Sequence, residues 1–197
     1  MKSNIYAYEY GDNLYINLTN SCCNSCEFCV RNDAETFEGH NLWLTHEPSA
    51  DEVIEAMGDL SKYDEIVMCG FGEPTDRLFV LLQVAMYAKS ADKHVRINTN
   101  GLANLVHGRD VTPMLKGLID VVSISLNAPD AESYDKLCHP SFGEAAYDAL
   151  LDFAVKCKQY VPRVVLSVVD IMPAEDIEKC RRITERLGVE FRVRRHS

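Results

Sequence analysis

Apolar residues recur along the chain with two different spacings. Short runs rich in Val and Ile have the alternating or continuous apolar character of strands. Between them lie longer stretches whose apolar residues are three or four positions apart, as on one face of a helix. The predicted strands are NLYINLT, EIVMCG, HVRINT, DVVSISL, RVVLSVVD and VEFRVR. An earlier run, IYAYEY, joins the first of these through the turn signal Gly11-Asp12-Asn13, which predicts a hairpin.

Helical spacing separates the predicted strands. The first helix is predicted over residues 48–60, with Ser49 or Asp51 as its N-terminal cap. Further helices are predicted at residues 76–90, 110–117, 131–160 with a break at His139-Pro140, and 174–187. Residues 30–46 are polar and irregular, and we expect a loop that carries Trp43.

The alternation of strands and helices predicts the fold class. Apolar, β-branched strands separated by helices are typical of a parallel sheet with right-handed crossovers. About six such units fit, whereas a full eight-stranded barrel usually needs about 250 residues and the chain has 197. We therefore predict an α/β fold, a partial (open) TIM-like (β/α)6 barrel. No repeat or low-complexity linker divides the chain, so residues 1–197 are expected to form a single domain.

Composition and charge limit the function classes. The formal net charge of −10 argues against non-specific nucleic-acid binding, which depends on neutralising phosphates. No apolar run has the length of a signal peptide or a membrane span, so a cytoplasmic location is expected and no membrane contact. The basic C-terminal segment predicts either a solvated face or a docking patch for an anionic substrate or a partner. Its arginines are Arg181, Arg182, Arg186, Arg192, Arg194 and Arg195.

The unusual motifs all follow predicted strands. The cysteines follow NLYINLT, GFGEPT follows EIVMC, NTNG follows HVRI, and SLNAP follows DVVSI. In parallel α/β folds the functional groups gather at the carboxyl ends of the strands. These motifs are therefore expected to meet in one site.

The stretch SCCNSCEFC holds four of the eight cysteines and has two possible spacings. The ligands are either Cys22, Cys26 and Cys29, or Cys23 with the same last two. No fourth cysteine follows nearby. Three thiolates can hold three irons of a [4Fe–4S] cluster and leave the fourth iron open. A zinc site completed by His40 or His46, and a simple electron-transfer centre, are the alternatives.

Together with residues later in the chain, this stretch resembles the motifs of a known family. Cys22, Cys26, Phe28 and Cys29, followed by Phe71-Gly72-Glu73-Pro74, resemble the radical S-adenosylmethionine (SAM) superfamily, although Phe71 stands where that motif usually has Gly. The sequence from RINTNG to VVLSVVD is similar to the TatD-associated radical SAM proteins. That subfamily is named for genes next to, or fused with, TatD-type metal-dependent hydrolases.

The resemblance implies a site. Cys22, Cys26 and Cys29 would bind the [4Fe–4S] cluster, whose open iron would take the amino and carboxylate groups of SAM, while Cys23 would point away. Phe28 would lie near the cluster and the adenine. The resemblance also implies that Gly72, Glu73 and Pro74 of the SAM motif, and Ser125, bind the cofactor. Thr99, Asn100 and Asn127 are further candidates for cofactor contacts, although these three are equally explained as turn and cap residues.

The resemblance also implies an activity. A low-potential electron donor, of the flavodoxin or ferredoxin type, would reduce the cluster, and cleavage of SAM would give a 5′-deoxyadenosyl radical that abstracts hydrogen from an unknown substrate. One possible substrate is a nucleobase-derived small molecule, as in the compact deazaguanine-pathway enzymes. The alternative function is a non-catalytic metal or iron–sulfur binding partner of a TatD-type hydrolase.

The remaining cysteines and histidines are expected to have structural roles. Cys69, Cys157 and Cys180 are predicted to be small buried hydrophobic residues. Cys138-His139-Pro140 is interpreted as a helix break, and His94 and His107 as surface or capping residues.

Overall fold

The computed structural model describes residues 4–33 and 36–195 and contains one seven-stranded sheet, ordered β1 to β7 as in the sequence. The strands are β1 Ala7–Tyr10, β2 Asn13–Ile16, β3 Glu65–Met68, β4 His94–Thr99, β5 Val121–Ser125, β6 Arg163–Val169 and β7 Glu190–Arg194. Only β1, the first strand of the predicted hairpin, is antiparallel to its neighbour. The other six strands are parallel and the sheet does not close, so the predicted open (β/α)6 architecture is confirmed.

Helices connect the parallel strands. They are α1 Val30–Asp33, α2 Ala50–Met57, α3 Leu78–Ser90, α4 Ala103–Val106, α5 Ala131–Cys138, α6 Ala145–Cys157 and α7 Ala174–Leu187, with 3₁₀ turns at Leu60–Lys62, Pro74–Arg77 and Thr112–Leu115. Ser49 caps α2, and its side chain and that of Glu52 form a capping box. The predicted break after α5 is confirmed, because His139 adopts a left-handed conformation with φ of 43°.

Two local predictions were wrong. Residues 30–46 are not all loop, since the Cys29 carbonyl accepts a bond from the Asn32 backbone at 2.8 Å and the turn α1 forms. The helix predicted at residues 110–117 is only the 3₁₀ turn Thr112–Leu115. There the Asp110 carboxylate accepts bonds from both the backbone and the hydroxyl of Thr112, and this local bonding competes with a longer helix. The regular helix of this connection is α4, which the sequence pattern did not predict.

The two faces of the sheet have different chemistry. Alternate strand residues, such as Ile66, Val95 and Val122, are fully buried in the core beneath the helices. The intervening residues, such as Arg96 and Ser123, line a cavity that also touches β2 and β7, so the sheet curves around this inner face. None of the helices in the described part of the chain has both the length and the apolar character needed to cross a bilayer.

Candidate functional site

The cysteine loop, residues 21–29, leaves the carboxyl end of β2 and rests on the end of α5. The backbone N–H groups of Ser25 and Glu27 donate to the carbonyls of Cys138 and Leu137, both at 3.0 Å. The Ser141 N–H donates to the Cys23 carbonyl at 2.8 Å. The last carbonyls of a helix have no partner within the helix. These bonds therefore give the last carbonyls of α5 hydrogen-bond partners and hold the cysteine loop against the helix end.

Two polar residues, which the sequence analysis did not identify, hold the middle of this loop. Asn24 is 4% exposed, and its amide donates to the Tyr134 hydroxyl at 2.9 Å. Arg31 donates to the carbonyls of Asn20, Asn24 and Phe71 at 3.1 to 3.3 Å. The guanidinium therefore joins the start and the middle of the cysteine loop to the turn after β3.

Tyr134→Phe is expected to lower the free energy of unfolding by about 1–3 kcal/mol, because it leaves the buried Asn24 amide without its partner. Urea denaturation of the cluster-free chain measures this change. Tyr87→Phe, on α3, is the matched control, since no hydrogen bond from its hydroxyl occurs in residues 4–33 and 36–195; it should change the value by less than about 0.5 kcal/mol. Equal losses in the two variants would contradict the role of this bond.

Three of the four loop thiols line one cavity of about 230 Å³, called here the thiol cavity. They are Cys22, Cys26 and Cys29. The fourth, Cys23, lies outside that lining, packs against the core, and accepts a hydrogen bond from the Asn100 amide at 3.2 Å. His40 and His46, considered above as zinc ligands, do not line it either.

The donor set fits a soft metal centre such as an iron–sulfur cluster. In the described ranges no three His, Cys, Asp or Glu side chains form a ready-made metal site, so the thiols must converge to ligate one. Burial, assisted by the Glu73 carboxylate, raises the pKa of the Cys22 thiol to about 12. A hydrogen bond with the Cys138 thiol lowers the pKa of Cys26. Because metals bind thiolates, ligation here releases protons.

Glu73 connects the strand ends around the thiol cavity. Its buried carboxylate accepts from the Thr75 backbone at 3.1 Å, the Thr75 hydroxyl at 2.6 Å, the Thr99 hydroxyl at 2.7 Å and the Asn100 backbone at 2.7 Å. Burial raises the pKa of this carboxyl, and the hydrogen bonds oppose that effect. The Glu73 N–H also donates to the Ser21 carbonyl at 2.7 Å, so one residue joins β3, β4 and the cysteine loop.

Gly72 lies where the cysteine loop comes closest to the turn after β3. A Cβ atom built there would stand 2.3 Å from the Thr19 carbonyl oxygen and 2.5 Å from that of Ser21. Only glycine permits this approach of two backbone segments. The neighbouring Pro74 is buried and begins the 3₁₀ turn, but it does not line the thiol cavity.

The other side of the thiol cavity is formed by β5, β6 and β7. Arg194 donates to the Ser125 hydroxyl and the Asn127 side-chain oxygen, both at 3.4 Å, and to the Ser167 hydroxyl at 3.1 Å. Asn127 has a φ of 54°, a left-handed conformation that asparagine adopts more readily than most residues. Arg194 was noted in the sequence only as part of a basic segment, because its position at the end of β7 opposite Ser125 depends on the whole strand order.

The structure brings most of the predicted site residues together. Those lining the thiol cavity are Cys22, Cys26, Cys29, Phe28, Gly72, Glu73, Thr99, Asn100, Ser125 and Asn127. Cys69 lines it as well and is only half-buried, so its prediction as a buried hydrophobic residue was wrong: it follows Met68 on the opposite, inner face. Cys157 and Cys180 are fully buried as predicted. His94 is at the surface beside Glu65, and His107 is half-buried, with its Nε2 2.8 Å from the Thr75 carbonyl oxygen.

Comparison with known proteins identifies the family. A family model described as the radical SAM superfamily matches residues 16–187, and no curated protein sequence matches the chain. A solved radical SAM methyltransferase from Sphaerobacter thermophilus is 16% identical, with a TM-score of 0.63 over 96% of this chain and 57% of its own. Streptococcus suis SuiB, solved with SAM bound, is 16% identical, with a TM-score of 0.68 over 95% of this chain and 40% of its own. The chain thus spans only part of each protein, and at this identity the likeness is one of fold.

Proposed function

Because the chain belongs to the radical SAM superfamily, we propose that Cys22, Cys26 and Cys29 hold a [4Fe–4S] cluster whose remaining iron binds SAM. Membership of the superfamily rests on the family model; the enzymatic activity, the ligand set and the cofactor contacts are the proposal. The observation that carries it is the thiol cavity, which those three thiols line together while Cys23 lies outside.

SAM is expected to bind across the rest of the same cavity. SuiB shares the fold and was solved with SAM bound, which supports the proposal that this chain binds SAM. Gly72 leaves the cavity wall without a side chain, so a ligand can approach the backbone there. Phe28, which lies between Cys26 and Cys29 in the sequence, also lines the cavity. Its ring would exclude water from the bound cofactors.

The residues of the chain would perform binding and positioning. The chemistry supplied by the bound cofactors is the reductive cleavage of SAM to methionine and a 5′-deoxyadenosyl radical, which abstracts hydrogen from a substrate. The hydrogen bonds of Glu73 keep the strand ends in register around the cavity. We propose that the electron donor is of the flavodoxin or ferredoxin type and approaches the exposed part of the cysteine loop, at Ser25 and Glu27.

Metal analysis and spectroscopy test this function. After anaerobic reconstitution we expect about four irons per chain, and a paramagnetic signal of the reduced cluster that changes when SAM is added. Zinc without iron would favour the structural metal site. An iron–sulfur signal indifferent to SAM would contradict the proposed open iron.

We also propose that the chain belongs to the TatD-associated subfamily of the radical SAM proteins. It rests on the sequence from RINTNG to VVLSVVD, which forms β4 to β6 and their connections. Specific co-purification with a TatD-type hydrolase would support a physical partnership. A chain that binds such a hydrolase but never cleaves SAM would instead be its non-catalytic partner.

A further inference from the structure

A second cavity, called here the outer cavity, adjoins the thiol cavity on the inner face of the sheet. Its volume is about 530 Å³, and strand residues such as Tyr15, Arg96 and Ser123 form its floor. Arg194 and Arg195 line both cavities. A molecule in the outer cavity would therefore lie beside whatever occupies the thiol cavity.

The charge of the outer cavity is opposite to that of the protein. Its described lining contains four arginines, Arg96, Arg192, Arg194 and Arg195, and no Asp or Glu, although the chain has a net charge of −10. A recess lined by one sign of charge concentrates ligands of the other sign. The outer cavity is thus suited to an anion.

Three of these arginines have no carboxylate partner in the described part of the chain. Arg96 is neutralised by Glu65 at 2.8 Å. The other described arginines in ion pairs are Arg77, Arg163, Arg181 and Arg182. Arg194 is half-buried among the neutral oxygens of Ser125, Asn127 and Ser167.

That arrangement is unfavourable for the protein alone. Burial lowers the pKa of the Arg194 guanidinium, and the nearby charge of Arg192 lowers it further. Burying a charge without a partner costs free energy, which a bound anion would offset. This argument applies to the half-buried Arg194, whereas Arg192 and Arg195 are exposed and add positive charge to the cavity without that cost.

Aromatic rings also line the outer cavity. Tyr10 lies 5.5 Å from Tyr15 and 5.4 Å from Phe37, measured between ring centroids, and Tyr8 lies 6.3 Å from Phe37. Tyr10 remains 42% exposed although it lies in this cluster. These rings offer flat apolar surface on which a planar group can stack.

We infer that the outer cavity is the substrate site, and that it takes a small molecule with a planar ring and a carboxylate or phosphate group. This inference rests on the proposed function. The anionic group would lie against Arg194, with Arg192 and Arg195 supplying further positive charge, and the ring would lie against Tyr10 and Phe37. The cavity is within the range of about 300–1,000 Å³ that is usual for small-molecule sites.

Ligand binding to the anaerobic, cluster-loaded chain with SAM tests the inference. The probes are benzoate, phenyl phosphate and the neutral benzamide, measured by calorimetry and saturation-transfer NMR. We expect at least one anion to bind about tenfold or more tightly than benzamide, since hydrogen bonds to charged groups are worth at least that ratio. The tighter of the two anions identifies the group that the arginines prefer.

Variants separate the arginines from general electrostatics. Arg192→Gln, in the outer cavity only, should weaken anion binding about tenfold, and Tyr10→Leu should weaken it without removing charge. Arg182→Gln, on the exposed face of α7, makes the same change of net charge and should leave binding unaltered. Equal weakening by Arg182→Gln, or benzamide binding as tightly as both anions, would overturn the inference.

SAM cleavage by the same wild-type samples distinguishes the two proposals. Protein that cleaves SAM but binds neither anion contradicts the substrate site alone. Protein that binds an anion through Arg192 but cannot cleave SAM contradicts the proposed function alone.

Discussion

Cys22→Ala is expected to abolish cluster assembly and SAM cleavage, whereas Cys23→Ala should leave both intact. A cubane cluster bound by three thiolates loses one third of its protein ligands when one is removed. Among the described residues, Cys69 is the only other thiol that lines the thiol cavity. Iron content should fall from about four per chain towards zero. Iron and sulfide analysis after anaerobic reconstitution measures the change.

Cys23→Ala is the matched control because it removes the adjacent thiol from the same loop. It loses the hydrogen bond from the Asn100 amide, which should lower the free energy of unfolding by about 1 kcal/mol or less. The opposite result, with Cys22→Ala active and Cys23→Ala without a cluster, would show that the ligands follow the other spacing.

Gly72→Ala should destabilise the chain and weaken SAM binding together. The new Cβ would meet two backbone carbonyl oxygens at 2.3 and 2.5 Å, and neither can rotate away as a side chain could. The cysteine loop must therefore shift, at a cost of about 3 kcal/mol in the free energy of unfolding. Since the loop carries the proposed ligands, SAM affinity should fall at least about tenfold, because a displaced ligand set loses several favourable contacts. Denaturation and equilibrium binding of SAM measure the two effects.

Gly143→Ala separates this close approach from the general cost of replacing a glycine. Gly143 has a φ of 59° and open space around its missing Cβ, so alanine there costs only backbone strain, about 1–2 kcal/mol. SAM affinity should be unchanged. A Gly72→Ala chain that binds SAM as tightly as wild type would contradict the proposed role of this contact.

The strand order was predictable because it follows from local patterns. The strands β3 to β6 are apolar runs followed by helical spacing, and right-handed crossovers place consecutive strands side by side. The same logic predicted that the motifs after β2, β3, β4 and β5 would meet. Residues from all four strand ends do line the thiol cavity, including Cys22, Gly72, Asn100 and Ser125.

The inner face of the sheet was not predicted, for a physical reason. The strands were interpreted only as apolar, β-branched runs, yet HVRINT and VVSIS carry alternating polar residues, and Arg96, Asn98 and Ser123 face the outer cavity. In a closed, packed barrel such positions are filled by apolar side chains. Only the curvature of an open sheet leaves them around a cavity, and curvature is a property of the assembled strands.

Contacts between distant segments were equally invisible in the sequence. The bond between Asn24 and Tyr134 and the three bonds of Arg31 join residues that no local spacing relates. Arg194 reached the site only through its position on the last strand, next to β6. These residues hold the cysteine loop and the cavity walls in place, and they can be identified only once the fold is known.

The formation of 5′-deoxyadenosine tests the central claim most directly. The wild-type chain is reconstituted anaerobically with iron and sulfide, supplied with SAM and dithionite, and its products are separated by chromatography. We predict that 5′-deoxyadenosine and methionine accumulate in equal amounts, that both need the reductant, and that Cys22→Ala forms neither. An intact cluster that yields no 5′-deoxyadenosine would contradict the account.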